Sequence, residues 1–343
     1  MKKIALTVAA TVLSMFAIAD ARAEEKLIIF SWGDYTAPDL IAKFEKETGI
    51  KVTIDTFDAN ETMLAKLKQG ATGYDIVVPS HNFVPIMIKE GLLQKINAKD
   101  LKGYENIEDR WKSPQWDPDN QYTIPWQWGT TSFMVDTNVY KGDIDTLKLL
   151  FDPPKELQGS IGMFRTPDEV IAMAQIYAGV PLCNENVEDM KKVQAVLEKQ
   201  KPFVKVYSSD GILERLVSGD TAMHMNWSGY SLRSRAQRLS LRYSYPKEGV
   251  LTFMDSLAVP VDAPHYQNAL RFLSFYLQPE NAAIESNFAN YANGIVGSSQ
   301  FYTEELRGAP EMNPPDDMKP IVTKTCSEKA IKLADKVWTK LLQ

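Results

Sequence analysis

Short apolar runs alternate along this chain with stretches whose apolar positions fall three and four residues apart. These are the patterns of buried strands and amphipathic helices. Leu27-Ile28-Ile29-Phe30 predicts a buried strand running into a Ser31–Tyr35 loop. Pro38 then opens a helix with Leu40, Ile41 and Phe44 on one face, and Gly49 closes it. A strand over Ile50–Phe57, a helix over Asn60–Gln69, a strand over Tyr74–Val78 and a helix over Val84–Glu90 follow. This regular alternation predicts βαβ units and a largely parallel sheet.

Farther along, Tyr122–Trp128, Ser132–Val135, Ile161–Phe164 and Ala222–Asn226 predict strands, and Leu251–Phe253 and Ser256–Val259 predict two more flanking Asp255. Helices are expected from Thr166 and over Glu188–Lys199, His265–Leu277, Glu280–Ser286 and Ser327–Leu342. The run Arg233, Arg235, Arg238, Arg242 reads as a solvated face. Polar or aromatic clusters fall at four predicted strand ends: Ser31–Tyr35, Pro79–Asn82, Trp227–Tyr230 and Phe253–Asp255. Ligands of open α/β sheets sit outside the carboxyl ends of strands, so this recurrence points to one binding site.

The first segment changes the charge picture. Lys2 and Lys3, the apolar Ile4–Ile18 and Ala21-Arg22-Ala23 form a secretory signal peptide over residues 1–23. Cleavage after Ala23 leaves a soluble exported chain, and the net charge moves from -6 to -8. That balance argues against a nucleic-acid partner. Export makes Cys183 and Cys326 an expected disulfide pair, with two free buried thiols as the alternative. The sequence holds no G-x-S-x-G, H-E-x-x-H, P-loop or G-x-G-x-x-G, and His81, His224 and His265 are scattered. An exported α/β chain without catalytic, metal or cofactor signatures reads as a binder rather than an enzyme.

The segments IIFSWGDYTAPDLIAKFEKETGIKV, NETMLAKLKQGATGYDIVVPS, YTIPWQWGT, YPKEGVLTFMDSLAVP and FANYANG occur together and in order. They closely resemble the periplasmic spermidine/putrescine-binding proteins of ABC importers, over essentially the whole mature chain. The resemblance implies a two-lobed α/β binding protein of the type II class, with mixed, mostly parallel sheets, flanking helices and a ligand cleft between the lobes. One lobe is expected over 24–131 plus 254–305, the other over 132–253 plus 306–343. It implies a periplasmic, monomeric receptor that hands its ligand to an inner-membrane ABC permease by hinge closure.

Carried over by position, the resemblance places Trp32, Asp34, Tyr35, Ser80, Asn82, Glu169, Ser208 or Ser209, Trp227, Phe253, Asp255 and Tyr291 at the cleft. The chemistry suits a cationic amine: aromatic faces attract ammonium groups, and a buried cation needs a hydrogen-bonded counter-charge. Asp255 is the first candidate anchor, ahead of Glu169 and Asp34. Thr166-Pro167-Asp168-Glu169 is also a capping-box pattern, so Glu169 has two readings, cap and ligand residue. Three departures from the family matter: the position of a ligand-facing Gln in the spermidine binder falls near Lys324, and the other two concern cleft acids. Arg165 and Thr166 stand where such binders often carry an acid, and Tyr230 stands where a putrescine binder has one. Arg165 opens the alternative of an ω-amino acid such as γ-aminobutyrate, its amine on Asp255 and its carboxylate on the guanidinium. A second alternative is a thiaminase-like enzyme on the same scaffold, which requires a free, activated cysteine.

Overall fold

A computed structural model describes residues 25–70 and 72–343; the signal peptide expected over 1–23 lies outside the described residues. The first half builds as its periodicity predicts. β1 (Lys26–Trp32), α1 (Pro38–Thr48), β2 (Lys51–Phe57), α2 (Asn60–Lys68), β3 (Ile76–Val77) and α3 (Val84–Lys89) follow in order. β1 pairs in parallel with both β2 and β3. Pro38 in the first turn and Gly49 at φ 75° bound α1, each where its backbone chemistry is least costly.

Next come β4 (Thr123–Asp136), α4 (Lys148–Phe151), β5 (Ile161–Met163), α5 (Pro167–Ala178), α6 (Val187–Gln200) and β6 (Val204–Tyr207). α7 (Ile212–Ser218), β7 (Met223–Trp227), α8 (Ser228–Gln237), β8 (Leu241–Tyr243) and β9 (Val250–Ala258) continue the chain. It ends with α9 (Tyr266–Tyr276), α10 (Pro279–Ala289), α11 (Glu304–Arg307), β10 (Pro320–Val322) and α12 (Glu328–Leu342).

Two expected strand pairs are single long strands. β4 runs 14 residues and β9 runs 9, straight through Asp255. Thr130, Thr131 and Ser132 interrupt the apolar pattern of β4, yet all three are buried and extended. The two strands pair antiparallel from Thr123 against Ala258 to Thr131 against Leu251, which makes the sheet mixed. α8 has almost no apolar signal because Ser228, Gly229, Ser231 and Ser234 form its buried face with Leu232. Small residues let a helix pack closely without hydrophobic periodicity.

Of the arginine run only Arg242 is exposed; the other three are not a solvated face. Arg235 makes a two-bond ion pair with Glu311, at 2.7 and 2.9 Å. Arg238 pairs with the buried Asp136. Arg233 donates to the carbonyls of Phe288 and Ala289 at the end of α10. Guanidinium groups bury their stems and satisfy several acceptors at once, a role that linear charge spacing does not reveal.

The ten strands form one curled sheet, ordered β2-β1-β3-β9-β4-β7-β5-β6, with β10 on β9 and β8 on β4. Two large apolar cores form on it. One gathers Leu27, Leu40, Phe44, Ile76, Trp126, Leu257 and Phe272. The other gathers Phe133, Phe151, Phe164, Val193, Met223 and Leu251. β4 and β9 contribute to both, so the two cores share a pair of hydrogen-bonded strands. Cys183 and Cys326 are bridged, with Cα atoms 5.0 Å apart, which ties the chain after α5 to the chain before α12.

Candidate ligand-binding cleft

Asp255 lies on β9, beside the antiparallel bridge that joins it to Ser80 after β3. Its side chain is only 5% exposed. Ser80 donates its hydroxyl to Oδ1 at 2.7 Å, and Tyr35 donates to Oδ2 at 2.8 Å. Burial pushes the carboxyl up to about 6, and these two hydroxyls act against that shift. Asn60 holds Ser80 in turn, its Oδ1 accepting from the Ser80 N–H at 3.0 Å and its Nδ2 donating to the Ser80 hydroxyl at 3.1 Å. β1, β3 and β9 are neighbours in the sheet, and the loops at their ends bring these groups together.

A second carboxyl stands beside the other apolar core, that of Phe164 and Val170. Glu169, in the first turn of α5, accepts from Trp227 Nε1 at 2.9 Å and Thr131 Oγ1 at 2.8 Å on one oxygen. The Thr166 hydroxyl donates to the other oxygen at 2.9 Å. The capping-box reading is therefore replaced: the Thr166 side chain bonds the Glu169 carboxyl and caps no backbone N–H. Burial and the nearby negative charge of Asp168 push Glu169 up to about 7, and no cation is among the groups that shift it.

Aromatic rings surround these carboxyls. Trp227 stacks on Phe164 with centroids 4.3 Å apart, and Tyr230 meets its edge at 6.0 Å. Tyr291 sets its ring edgewise to Tyr35 at 5.5 Å and to Phe253 at 5.8 Å. Trp32 is pinned by its Nε1 donating to the Val78 carbonyl at 3.0 Å. Two glycines permit this crowding. A Cβ at Gly129 would lie 2.9 Å from both Phe253 and Tyr291, and one at Gly229 would lie 2.6 Å from Tyr291. Burial raises the Tyr230 phenol; Arg233 opposes the shift, and Asp34 adds to it.

Four expected residues stand differently. Asp34 is an exposed turn residue at φ 52°. The Asn82 carbonyl accepts from Thr325 Oγ1 at 2.6 Å. Ser209 Oγ accepts from the Arg165 N–H at 3.0 Å, so Ser209 and Arg165 hold one another at the loop after β5. The Arg165 side chain is exposed and joins no ion pair among the described residues. Sequence reasoning missed Thr131, Asn60 and Phe164. The first reads as an interruption of a strand, the second as a helix start and the third as core. Both sulfurs are taken up in the bridge, so the cysteine-nucleophile alternative finds no thiol in this structure.

With this geometry on two lobes, comparisons place the chain in a family. The family model described as bacterial extracellular solute-binding protein matches residues 39–313. The chain belongs to that family of solute-binding proteins. It is 32% identical to the putrescine-binding periplasmic protein SpuD of Pseudomonas aeruginosa, over 98% of this chain and 96% of that one. It is 30% identical to the putrescine-binding periplasmic protein PotF of Escherichia coli, over 96% of this chain and 95% of that one. Among solved structures, a putative spermidine/putrescine ABC transporter protein from Listeria monocytogenes superposes with a TM-score of 0.85 at 30% identity, covering 93% of this chain and 99% of that one. The fold is that of the two-lobed periplasmic binding proteins.

Proposed function

We propose that the protein is a periplasmic receptor that binds a small cationic amine of the putrescine class between its lobes and delivers it to an inner-membrane ABC permease. The lobes are residues 24–131 plus 254–305 and residues 132–253 plus 306–343, a division supported by the membership of the two apolar cores. Residues 1–23 serve as the export signal, and the receptor works as a monomer. Asp255 anchors one ammonium group, and Glu169 receives positive charge from the other side. Trp32, Trp227, Tyr230, Phe253 and Tyr291 wall the methylene chain, with Asp34 at the rim.

The observation that carries this reading is the state of Asp255. It is a buried carboxyl whose two oxygens, among the described residues, meet hydroxyl donors and no cation. An ionised carboxylate in such a place is costly until a cation reaches it. An arriving ammonium supplies that cation, so part of the binding energy is relief of the cost. Arg165 does not supply it: the guanidinium is exposed and is absent from the groups that shift Asp255 or Glu169. That favours an amine over an ω-amino acid.

The Asp255→Asn variant tests the reading. The amide keeps the shape and can still meet Ser80 and Tyr35, but the charge is gone. Loss of one partner of a buried charge pair costs about 2–5 kcal/mol, so putrescine affinity measured by calorimetry should fall by roughly 30-fold or more. The melting temperature of the free variant should hold or rise, because a buried carboxyl has been neutralised. Unchanged affinity would remove Asp255 from the site.

A further inference from the structure

A second buried carboxyl lies one layer behind the cleft. Glu285 sits on α10 with no exposed surface. Its Oε2 accepts from the Ala37 N–H at 2.9 Å. Its Oε1 accepts from Gln127 Nε2 at 3.0 Å. Gln127 is also fully buried, its Nε2 lies 3.4 Å from the Tyr35 carbonyl, and it stands opposite Asp255 in the β4–β9 register. No lysine, arginine or histidine is among the groups that shift Glu285, and burial pushes it up to about 8.

The pair is an expensive way to fill a core, since apolar residues of the same volume pack without desolvating anything. What it supplies is fixed geometry for two main-chain groups. Ala37, the residue that leads into α1, offers no side-chain cap, and Glu285 provides an acceptor for its N–H from a different helix. The Gly33–Ala37 turn carries Asp34 and Tyr35, and the hydroxyl of Tyr35 reaches Asp255. A connected path therefore runs from α10 through β4 and the turn to the candidate anchor.

We propose that Glu285 and Gln127 are positioning residues for the amine site: they lock the Gly33–Ala37 turn so that the Tyr35 hydroxyl stays on Asp255. This rests on Asp255 being the amine anchor. Neither residue touches the ligand, and both act through Tyr35.

A double-mutant cycle on putrescine affinity tests this, with melting temperature recorded for every variant. Tyr35→Phe removes a hydrogen bond to a charged group and should lower affinity roughly tenfold. Glu285→Leu should lower it by a similar factor. In the Tyr35→Phe background, Glu285→Leu should add less than about a twofold further loss, because its route to the site is already cut. Glu285→Gln should recover part of the affinity lost in Glu285→Leu: its amide oxygen still accepts from the Ala37 N–H, while its amide nitrogen faces Gln127 Nε2 and is satisfied only if the Gln127 amide turns over and gives up the Tyr35 carbonyl. Losses that multiply in the double variant overturn the positioning role. So does a Glu285→Leu protein with a lowered melting temperature and unchanged affinity. If Glu285→Leu does not fold, Gln127→Met carries the same cycle with the same two outcomes. Asp255→Asn, run alongside, separates the failures. Its loss of affinity with multiplying losses in the cycle overturns positioning alone, and its unchanged affinity overturns the site with it.

Discussion

If Asp255 and Glu169 receive the ammonium groups as proposed, amine affinity must depend on pH. Asp255 is held near 6 and Glu169 near 7 by burial, while an alkylammonium keeps its proton well past pH 8. Only the ionised carboxylates attract it, so binding below these values must expel protons. At pH 8 both groups are essentially ionised. At pH 5 a group at about 6 is under-ionised by roughly tenfold and one at about 7 by roughly a hundredfold. Putrescine affinity should therefore fall between pH 8 and pH 5 by about 10-fold if Asp255 alone meets an ammonium, about 100-fold if Glu169 alone does, and approaching 1,000-fold if both do. Calorimetry in buffers of different ionisation enthalpy gives an independent count. At pH 6 full ionisation of both groups releases roughly 1.4 protons per ligand, about 0.5 from Asp255 and 0.9 from Glu169. An affinity constant across pH 5–8, with no proton release, would refute the assignment of either carboxyl as an ammonium partner.

The free protein should show the opposite trend. Between about pH 6.5 and 8 its stability should fall, because Glu169 near 7 and Glu285 near 8 keep protons in the folded chain that the unfolded chain has already lost. His81 and His224, lowered to about 4 by burial, oppose this through their unfolded-state protonation near 6.5, a contribution that fades by about pH 7.5, so the fall should be clearest above about pH 7; a urea midpoint that rises from pH 7 to 8 contradicts the reasoning. Gly229→Ala places a Cβ 2.6 Å from the Tyr291 ring, and the ring must shift. Putrescine affinity should drop at least several-fold, whereas an unchanged value would mean that Tyr291 is not a wall of the site. Arg165→Ala should leave putrescine affinity within about twofold, since its guanidinium is exposed and absent from the shifts of both carboxyls. A larger loss would return Arg165 to the site. Replacing Cys183 and Cys326 with serine should destabilise the protein by about 2–5 kcal/mol in chemical denaturation, and a change under 1 kcal/mol would mean that the bridge constrains little.

Much of this was legible in the sequence because strand ends announce themselves. Apolar runs such as Leu27–Phe30 mark β1, and the polar or aromatic residues that follow each run carry the candidate site. Asp255 stood out as a carboxylate inside an apolar strand, and the structure shows it buried. What stayed hidden lacks a linear signature. Thr131 reads as a polar break in β4, yet its hydroxyl holds Glu169 from a neighbouring element. α8 was missed because serine and glycine supply its buried face. Glu285 sits among alanines and serines of α10 and looks like an exposed helix acid; only the fold brings Ala37 and Gln127 onto its carboxyl. Arg165 gave the reverse lesson. Its charge suggested a carboxylate ligand, but its side chain lies exposed, with only the backbone N–H tied to Ser209.

The central claim is that the cleft takes a small cationic amine. Isothermal calorimetry of the mature chain at pH 8, titrated in turn with putrescine, spermidine and γ-aminobutyrate, tests it most directly. Putrescine-class amines should bind with a dissociation constant in the micromolar range or below, corresponding to about -8 kcal/mol or better, and γ-aminobutyrate should bind at least tenfold more weakly. Binding of γ-aminobutyrate alone, or no heat with any of the three at millimolar concentration, would contradict the account.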